Sequence, residues 1–373
     1  MIIGIPKETT LEEKRVALAP AGVDTLIRDG HSVYIETKAG MECNFPDEEY
    51  TEVGATIVYS AEEVYQRADI LAKIAPLTEQ EAGYLREEQI LFSFLHLAAG
   101  SKKVIDQLLK KRVTAVSYEL IEKHKELPVL QSMSEIAGQL AIQMGERYLG
   151  SDIKESRGIL MGGITGVAPA AVVILGAGVV GLNAARAALG RGAQVIMLDK
   201  DIYKLRRVEN YLQKRITTVV ANPYTIARGA KFADLFIGAV QVRGEKSPHI
   251  VTEAMVKTMK KGAVIVDVSI DQGGCFETSR PTSLSEPMFI KHGTIHCCVP
   301  NLPSYVARTA SYGLTNASIN YISDIANNGL SSAVLGDSDF AKGIVAHNGT
   351  CTNEVIAETF ELEYRRLHIF STN

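Results

Sequence analysis

Apolar positions along the chain follow two alternating rhythms. Short β-branched runs recur, and between them apolar residues return at helical spacing. The runs 2-IIGI, 32-SVYIE, 56-TIVYS, 70-ILAKIA, 89-QILFSFL and 114-TAVSYE predict a first series of strands. Between the first two, 20-PAGVDTLIRDG predicts a helix stopped by Gly30. Most of these runs are almost continuously apolar, which is the pattern of strands buried on both faces in a parallel sheet covered by helices.

A second series follows a helical stretch, 133-MSEIAGQLAIQMGERYL, and a glycine-rich turn, 157-RGILMGGITGVAP. Its strands are expected at 171-AVVIL, 194-QVIML, 216-ITTVV, 235-LFIGAV, 263-AVIVDVSI and 294-TIHCCV, enough for one complete doubly wound sheet. Beyond residue 305 the pattern is helical and amphipathic (312-YGLTNASINYISDIANNG), with too few strands for a third domain. This tail is expected to return to the first unit. The expected fold class is therefore α/β, with two doubly wound, Rossmann-like domains and a cleft between them. Residues 1–130 and 306–373 would form one domain, and residues 131–305 the other.

A length of 373 residues fits two domains, each able to bury a core. A net charge of −4 provides no basic field for nucleic acid, so small-molecule partners are expected. Cys43, Cys275, Cys297, Cys298 and Cys351 are odd in number and lack CxxC spacing, which points to reduced thiols in a cytoplasm; no metal site is expected. The N-terminus MIIGIPKETT meets charge too early for a secretory signal. Residues 169–190 are strongly apolar, yet glycines, Asn183 and Arg186 interrupt them, so a membrane span is not expected.

Those glycines have a better reading. In 176-GAGVVG, a GxGxxG follows a predicted strand and opens a predicted helix, the context a dinucleotide fingerprint requires. Gly176 would allow the tight turn, Gly178 the approach of the pyrophosphate, and Gly181 close packing of helix on strand. The next strand ends at Asp199, near the spacing of about 20 residues expected of a carboxylate on the ribose 2′-hydroxyl. That favours NAD over NADP, although Lys200 and Lys204 could tolerate a 2′-phosphate. Ligands of such sheets lie beyond the carboxyl ends of the strands. Val240, the 271-DQGG turn and 299-VPN are then further candidates to face the cofactor.

In the first unit, the same rule gathers Arg15, Lys73 and His96 at strand ends. An arginine there can hold a carboxylate bidentately, a lysine can donate to a carbonyl oxygen, and a histidine can move protons near neutrality. Each also has a plainer reading: a strand-end histidine is often structural, Arg15 or Lys73 alone would be a surface charge, and Asp271 could simply cap its turn. The remaining histidines (His31, His124, His249, His292, His347, His368) lie in polar segments and read as surface, while His296 reads as core beside Cys297.

The chain resembles the NAD-dependent alanine dehydrogenases, in the group that also contains the nucleotide-binding subunit of proton-translocating transhydrogenases. The resemblance rests on 4-GIPKET with 13-EKRVAL, 89-QILFSFLHLAA, 133-MSEIAG, 158-GILMGGITGV, 173-VILGAGVVG, 267-DVSIDQGGCFETSRPT and 301-NLPSYV. It implies that Arg15 binds the substrate carboxylate, that His96 acts in acid–base chemistry, and that Asp271 assists proton transfer and water handling. By the same resemblance, Ser134, Val240, Val299 and Asn301 line the nicotinamide and pyrophosphate site, and the protein is a hexamer. The implied reaction is oxidation of L-alanine to pyruvate and ammonia. A transhydrogenase-like subunit and an NAD-binding homologue with altered or lost catalysis are the alternatives.

One departure bears on chemistry. Members of the group read Lys-Val-Lys-Glu-Pro where this chain reads 72-AKIAP-76, so Ala75 replaces the lysine usually given the substrate role. Residues two apart on a strand share a face, so Lys73 could reach the same cavity. A one-residue slip of the strand and altered activity are the other possibilities. Ser132 and Ala307 stand where proline is common, and these changes affect loop stiffness.

Overall fold

The structure is a computed structural model that describes residues 1–97, 100–240 and 248–367. His368 therefore lies outside the described residues. Strands β1 (Ile2–Ile5), β2 (Ser32–Glu36), β3 (Thr56–Val58), β4 (Ile70–Ala72), β5 (Ile90–Ser93) and β6 (Thr114–Ser117) make up the first series. The second contains β7 (Ala171–Leu175), β8 (Gln194–Asp199), β9 (Thr217–Val220), β10 (Leu235–Gly238), β11 (Val264–Asp267), β12 (Phe289–Lys291) and β13 (Thr294–Cys297). A short hairpin, β14 (Ile344–His347) and β15 (Thr350–Cys351), comes last.

The chain divides into two compact units, Met1–Met133 with the chain from Val306 onward, and Ser134–Tyr305. In the first, the sheet order is β15-β14-β6-β5-β4-β1-β2-β3, and in the second β12-β13-β11-β10-β7-β8-β9. Within both, the parallel strands follow the doubly wound order 3-2-1-4-5-6, with the reversal between β1 and β4 in one unit and between β7 and β10 in the other. Each reversal opens a crevice at the carboxyl ends of its strands, and the candidate residues come from those ends.

Burial explains the patterning. All of β7 and all of β5 are buried, so their runs need not alternate. Separate apolar clusters fill the two units, one around Leu71, Leu91 and Leu108, the other around Val173, Phe236 and Ile265. The tail from Ala307 forms a long helix to Gly336, broken at Gly329, where φ is +78°. It packs on the first unit: Ser311 Oγ accepts the Val16 N–H at 3.0 Å and Thr315 Oγ1 accepts that of Ala19 at 2.8 Å.

The sequence reading of this tail is helical, with too few strands for a third domain. In the structure the β14–β15 hairpin also extends the first sheet, antiparallel to β6 across an irregular register. Its strands are too short and too mixed in polarity to stand out in the sequence. His347 lies on β14, half-buried rather than at the surface, with Nδ1 3.0 Å from Thr114 Oγ1. All five cysteines are free and buried. Among the described residues, no helix is long and apolar enough to cross a membrane.

Candidate active site

In the second unit, the loop between β7 and the helix Val179–Gly190 has the shape its glycines predict. Gly176 has φ +111°, and a side chain there would collide with the Ala239 carbonyl. A side chain on Gly181 would collide with the Gly176 carbonyl. Gly178 differs: a Cβ there would meet nothing within 4 Å. Nothing in the packing of the loop requires glycine at this position, whereas an approaching pyrophosphate would. Gly178 is also the N-cap of the helix and offers no side-chain cap, so the first-turn amides and the helix dipole are available to an anion.

Asp199 ends β8 and is tied to that loop. Its Oδ2 accepts the Ala177 N–H at 2.7 Å and its Oδ1 the Asp201 N–H at 2.8 Å. Each carboxylate oxygen has a second lone pair, so the group can still accept a ribose hydroxyl. Lys204 lies in the first turn of the helix Ile202–Tyr211, with its backbone N–H on Asp201 Oδ1 and its side chain exposed.

Val240 follows β10 beside the Gly176 turn, and its carbonyl accepts the Ser269 hydroxyl at 2.7 Å. Asp271, exposed on the turn Val268–Gln272 after β11, accepts the Asn301 N–H at 3.1 Å. Asn301 itself has φ +52°. Val299 is buried directly after β13, and Ser134 is half-buried in the helix Pro128–Leu149. Val240, Asp271, Val299 and Asn301, together with the glycine loop, follow the carboxyl ends of strands in the second sheet, while Ser134 comes from the helix Pro128–Leu149. The open space at Gly178 and the first-turn amides behind it fit a phosphate-bearing ligand.

Sequence reasoning missed the residue that fixes the Asp271 turn. Asp267, 1% exposed, accepts hydrogen bonds from the N–H groups of Ser269, Cys275 and Phe276 and from the Ser279 hydroxyl at 2.7 Å. Burial pushes its carboxyl pKa up and these donors pull it back. The available signal was an aspartate inside the apolar run 263-AVIVDVSI.

In the first unit, Arg15 is buried. Glu13 holds one edge of its guanidinium, accepting from Nε at 2.7 Å and from Nη2 at 2.5 Å, while Nη1 lies 3.2 Å from Met133 Sδ. Its Cζ stands 5.9 Å from the Phe94 ring centroid. The His96 ring is stacked on the same phenylalanine, with centroids 6.1 Å apart and planes at 16°. The fold thus brings Arg15 and His96, from different strand ends, to one aromatic ring. Glu13, Phe94 and Met133 were not singled out from the sequence.

His96 is 59% exposed. A structural histidine is seen at His296, fully buried, with Nε2 2.8 Å from Thr278 Oγ1 and Nδ1 3.1 Å from the Thr294 carbonyl. Burial drives the His296 pKa down to about 4, so it stays neutral.

Lys73 is neither on the surface nor open at the rim. It is 0% exposed, with Nζ 2.6 Å from Glu8 and 3.1 Å from Glu81. Burial alone would lower its pKa, but the two carboxylates outweigh that and hold the amine above its ordinary value. Glu8 also accepts the N–H groups of Ile74 at 2.5 Å and Ala75 at 3.3 Å, so one carboxylate from the β1 loop clamps the chain after β4. An ammonium enclosed in this way cannot donate to a substrate oxygen without leaving two buried carboxylates behind. Lys73 is therefore enclosed by carboxylates rather than presented at the strand end. Among the described residues, no cluster of three or more His, Cys, Asp or Glu side chains is arranged to hold a metal ion.

Two sheets of the same doubly wound order, one of them carrying a glycine loop shaped for a pyrophosphate, define a two-unit α/β protein of the dinucleotide-binding type. Residues 4–137 match the family model described as Alanine dehydrogenase/PNT, N-terminal domain, and residues 141–354 match its C-terminal domain counterpart. The chain is 43% identical to an alanine dehydrogenase of Methanococcus maripaludis over 366 residues, 98% of each protein. It is 45% identical to the alanine dehydrogenase of Mycobacterium tuberculosis over 358 residues, 96% of each. A solved L-alanine dehydrogenase superposes with a TM-score of 0.91 at 40% identity, covering 97% of this chain and 99% of that one. A transhydrogenase from Sinorhizobium meliloti shares the fold, with a TM-score of 0.81 at 22% identity over 95% of this chain and 99% of that one. The chain belongs to the alanine dehydrogenase/PNT family.

Proposed function

We propose that this protein is an NAD-dependent alanine dehydrogenase that interconverts L-alanine with pyruvate and ammonia. One observation supports the reading of the site most: the Arg15 guanidinium and the His96 ring both lie against the ring of Phe94. Glu13 fixes the guanidinium from one edge, and the Arg15 cation is what would recruit the substrate carboxylate. Held there, the α-carbon has little freedom left, so much of the gain is positional. A bound nicotinamide would supply the hydride acceptor. His96 takes and returns the protons as the imine adds water and releases ammonia.

The residues after β7, β8, β10, β11 and β13 are the proposed NAD-binding surface, with residues 131–305 as the cofactor domain and the remainder as the substrate domain. The open space at Gly178 supports this assignment. Asp199 favours NAD over NADP. A cytoplasmic homo-oligomer of six chains is the proposed working form, supported by the family resemblance and by five free thiols.

The enclosure of Lys73, with alanine at position 75, favours a second reading in which the protein binds NAD but turns over slowly or acts on another small amino acid. The test is a substrate screen that follows NADH absorbance with L-alanine, glycine, serine and 2-aminobutyrate, and in reverse with pyruvate and ammonia. Turnover greatest on L-alanine is expected. Binding of NADH without turnover on any substrate would leave the second reading, and hydride exchange only with an added partner would indicate a transhydrogenase-type subunit.

A further inference from the structure

Glu119 lies next to His96 and has no part in the roles given so far. It belongs to the short turn Tyr118–Leu120 after β6, and its side chain is 14% exposed. Its Oε1 accepts the backbone N–H of His96 at 2.7 Å and lies 3.6 Å from the ring nitrogen Nδ1. Its Oε2 is buried with no hydrogen-bond partner among the described residues.

The backbone at His96 is left-handed, with φ +43°, a conformation that an L side chain keeps only when its surroundings hold it. The amide bond to Glu119 is such a hold. The ring is restrained as well, since it is stacked on Phe94. A separation of 3.6 Å is too long for a hydrogen bond but within ion-pair reach, and contacts of this kind commonly tighten when substrate arrives.

We propose that Glu119 is a positioning residue for His96, holding its backbone amide and orienting its ring so that Nδ1 carries the proton and Nε2 keeps the lone pair. An ionised carboxylate can only accept, so the ring nitrogen that meets it must be the protonated one. When Nε2 takes a proton, the imidazolium keeps its Nδ1–H toward the carboxylate, and Nε2 can return the proton without a change of tautomer. The half-buried carboxylate in turn recovers an interaction that burial had removed. For its effect on turnover the inference rests on the proposed acid–base role of His96; for the tautomer it does not.

The experiment is nitrogen-15 NMR of histidine-labelled full-length protein at alkaline pH, with His96 assigned by the signal lost in His96→Ala. An unconstrained histidine favours the Nε2–H tautomer. The wild type is expected to show His96 mainly as Nδ1–H, and Glu119→Gln to shift it toward Nε2–H. Turnover of Glu119→Gln should fall about 10- to 100-fold, while the KM for NAD stays within about twofold. Glu119→Asp, which keeps the charge, should retain the Nδ1–H form. A wild type found as Nε2–H overturns the proposal even if no variant folds, and so does a tautomer unaffected by Glu119→Gln. A shifted tautomer with unaltered kcat sustains the positioning role and overturns the acid–base role of His96 instead.

Discussion

Lys73 Nζ lies 2.6 Å from Glu8 Oε2 inside the first unit, at the point where the loops after β1 and β4 meet. The pair joins two loops that both feed the candidate site, and Glu81 closes it from a third segment. Replacing Lys73 with methionine leaves two carboxylates buried and unpaired. It is expected to cost about 3–5 kcal/mol of stability, read as a lower midpoint in urea unfolding. With its pKa held above 10.5, Lys73 contributes stability that is complete below that value and is lost as pH rises through the folded-state value. If Lys73→Met is as stable as wild type but has lost its response to pyruvate, the lysine serves substrate rather than structure.

Gly178 and Gly181 separate a binding glycine from a packing glycine. Gly178→Ala fits the free protein and should leave the melting temperature within about a degree, while NAD affinity falls at least about tenfold. Gly181→Ala cannot fit without moving the helix off its strand and should lower the melting temperature by several degrees. Paired thermal-shift and NADH fluorescence titrations distinguish the two. An unchanged affinity in Gly178→Ala would mean the loop is only a turn.

Asp199 accepts from the glycine loop and is expected to accept from the ribose as well. Asp199→Ala should weaken NAD about 10- to 100-fold and narrow its advantage over NADP, as expected for loss of a charged hydrogen-bond acceptor. Calorimetric titration with both nucleotides measures the ratio. A selectivity identical to wild type would remove the ribose role.

His96→Ala should reduce kcat by about 100- to 10,000-fold while the Kd for NADH holds near the wild-type value. Its exposed ring, stacked on Phe94, predicts a loss of chemistry without a loss of fold. Stopped-flow absorbance together with equilibrium binding tests this, and a variant with normal turnover would move the acid–base role elsewhere.

His296 predicts acid sensitivity. Its folded-state pKa of about 4 lies below the ordinary 6.5, so the unfolded chain takes up the proton first as pH falls. Stability should decline between pH 6.5 and 4, by up to about 3 kcal/mol from this residue. Urea midpoints for wild type and His296→Gln across that range should converge as pH drops. Parallel curves would mean that His296 titrates normally.

Much of the fold was legible because strands such as β5 and β7 are buried on both faces, so their apolar runs stand out, while β2 alternates in the manner of a half-buried strand. The runs at 2-IIGI, 32-SVYIE and 171-AVVIL coincide with β1, β2 and β7. The β14–β15 hairpin was not legible, since an edge hairpin of a few residues carries no periodicity of its own. In the site, the glycine loop and Asp199 could be read because their chemistry is local. Glu13, Glu119 and Phe94 could not, since what marks them is the side chain they face.

By itself, the sequence determined the two α/β series, the glycine-rich turn after β7 and the strand ends where polar side chains would gather. All of these follow from local patterning and short-range backbone geometry. Only the tertiary structure decided which of those side chains are exposed and which are enclosed. Arg15, Lys73 and His96 have the same kind of address in the sequence, yet Lys73 is sealed between Glu8 and Glu81 while His96 is open to solvent. The difference lies in how the distant segments pack, since Glu8 and Glu81 enclose Lys73 fully whereas Glu119 meets His96 from one side only, and a buried charge is retained where such partners surround it.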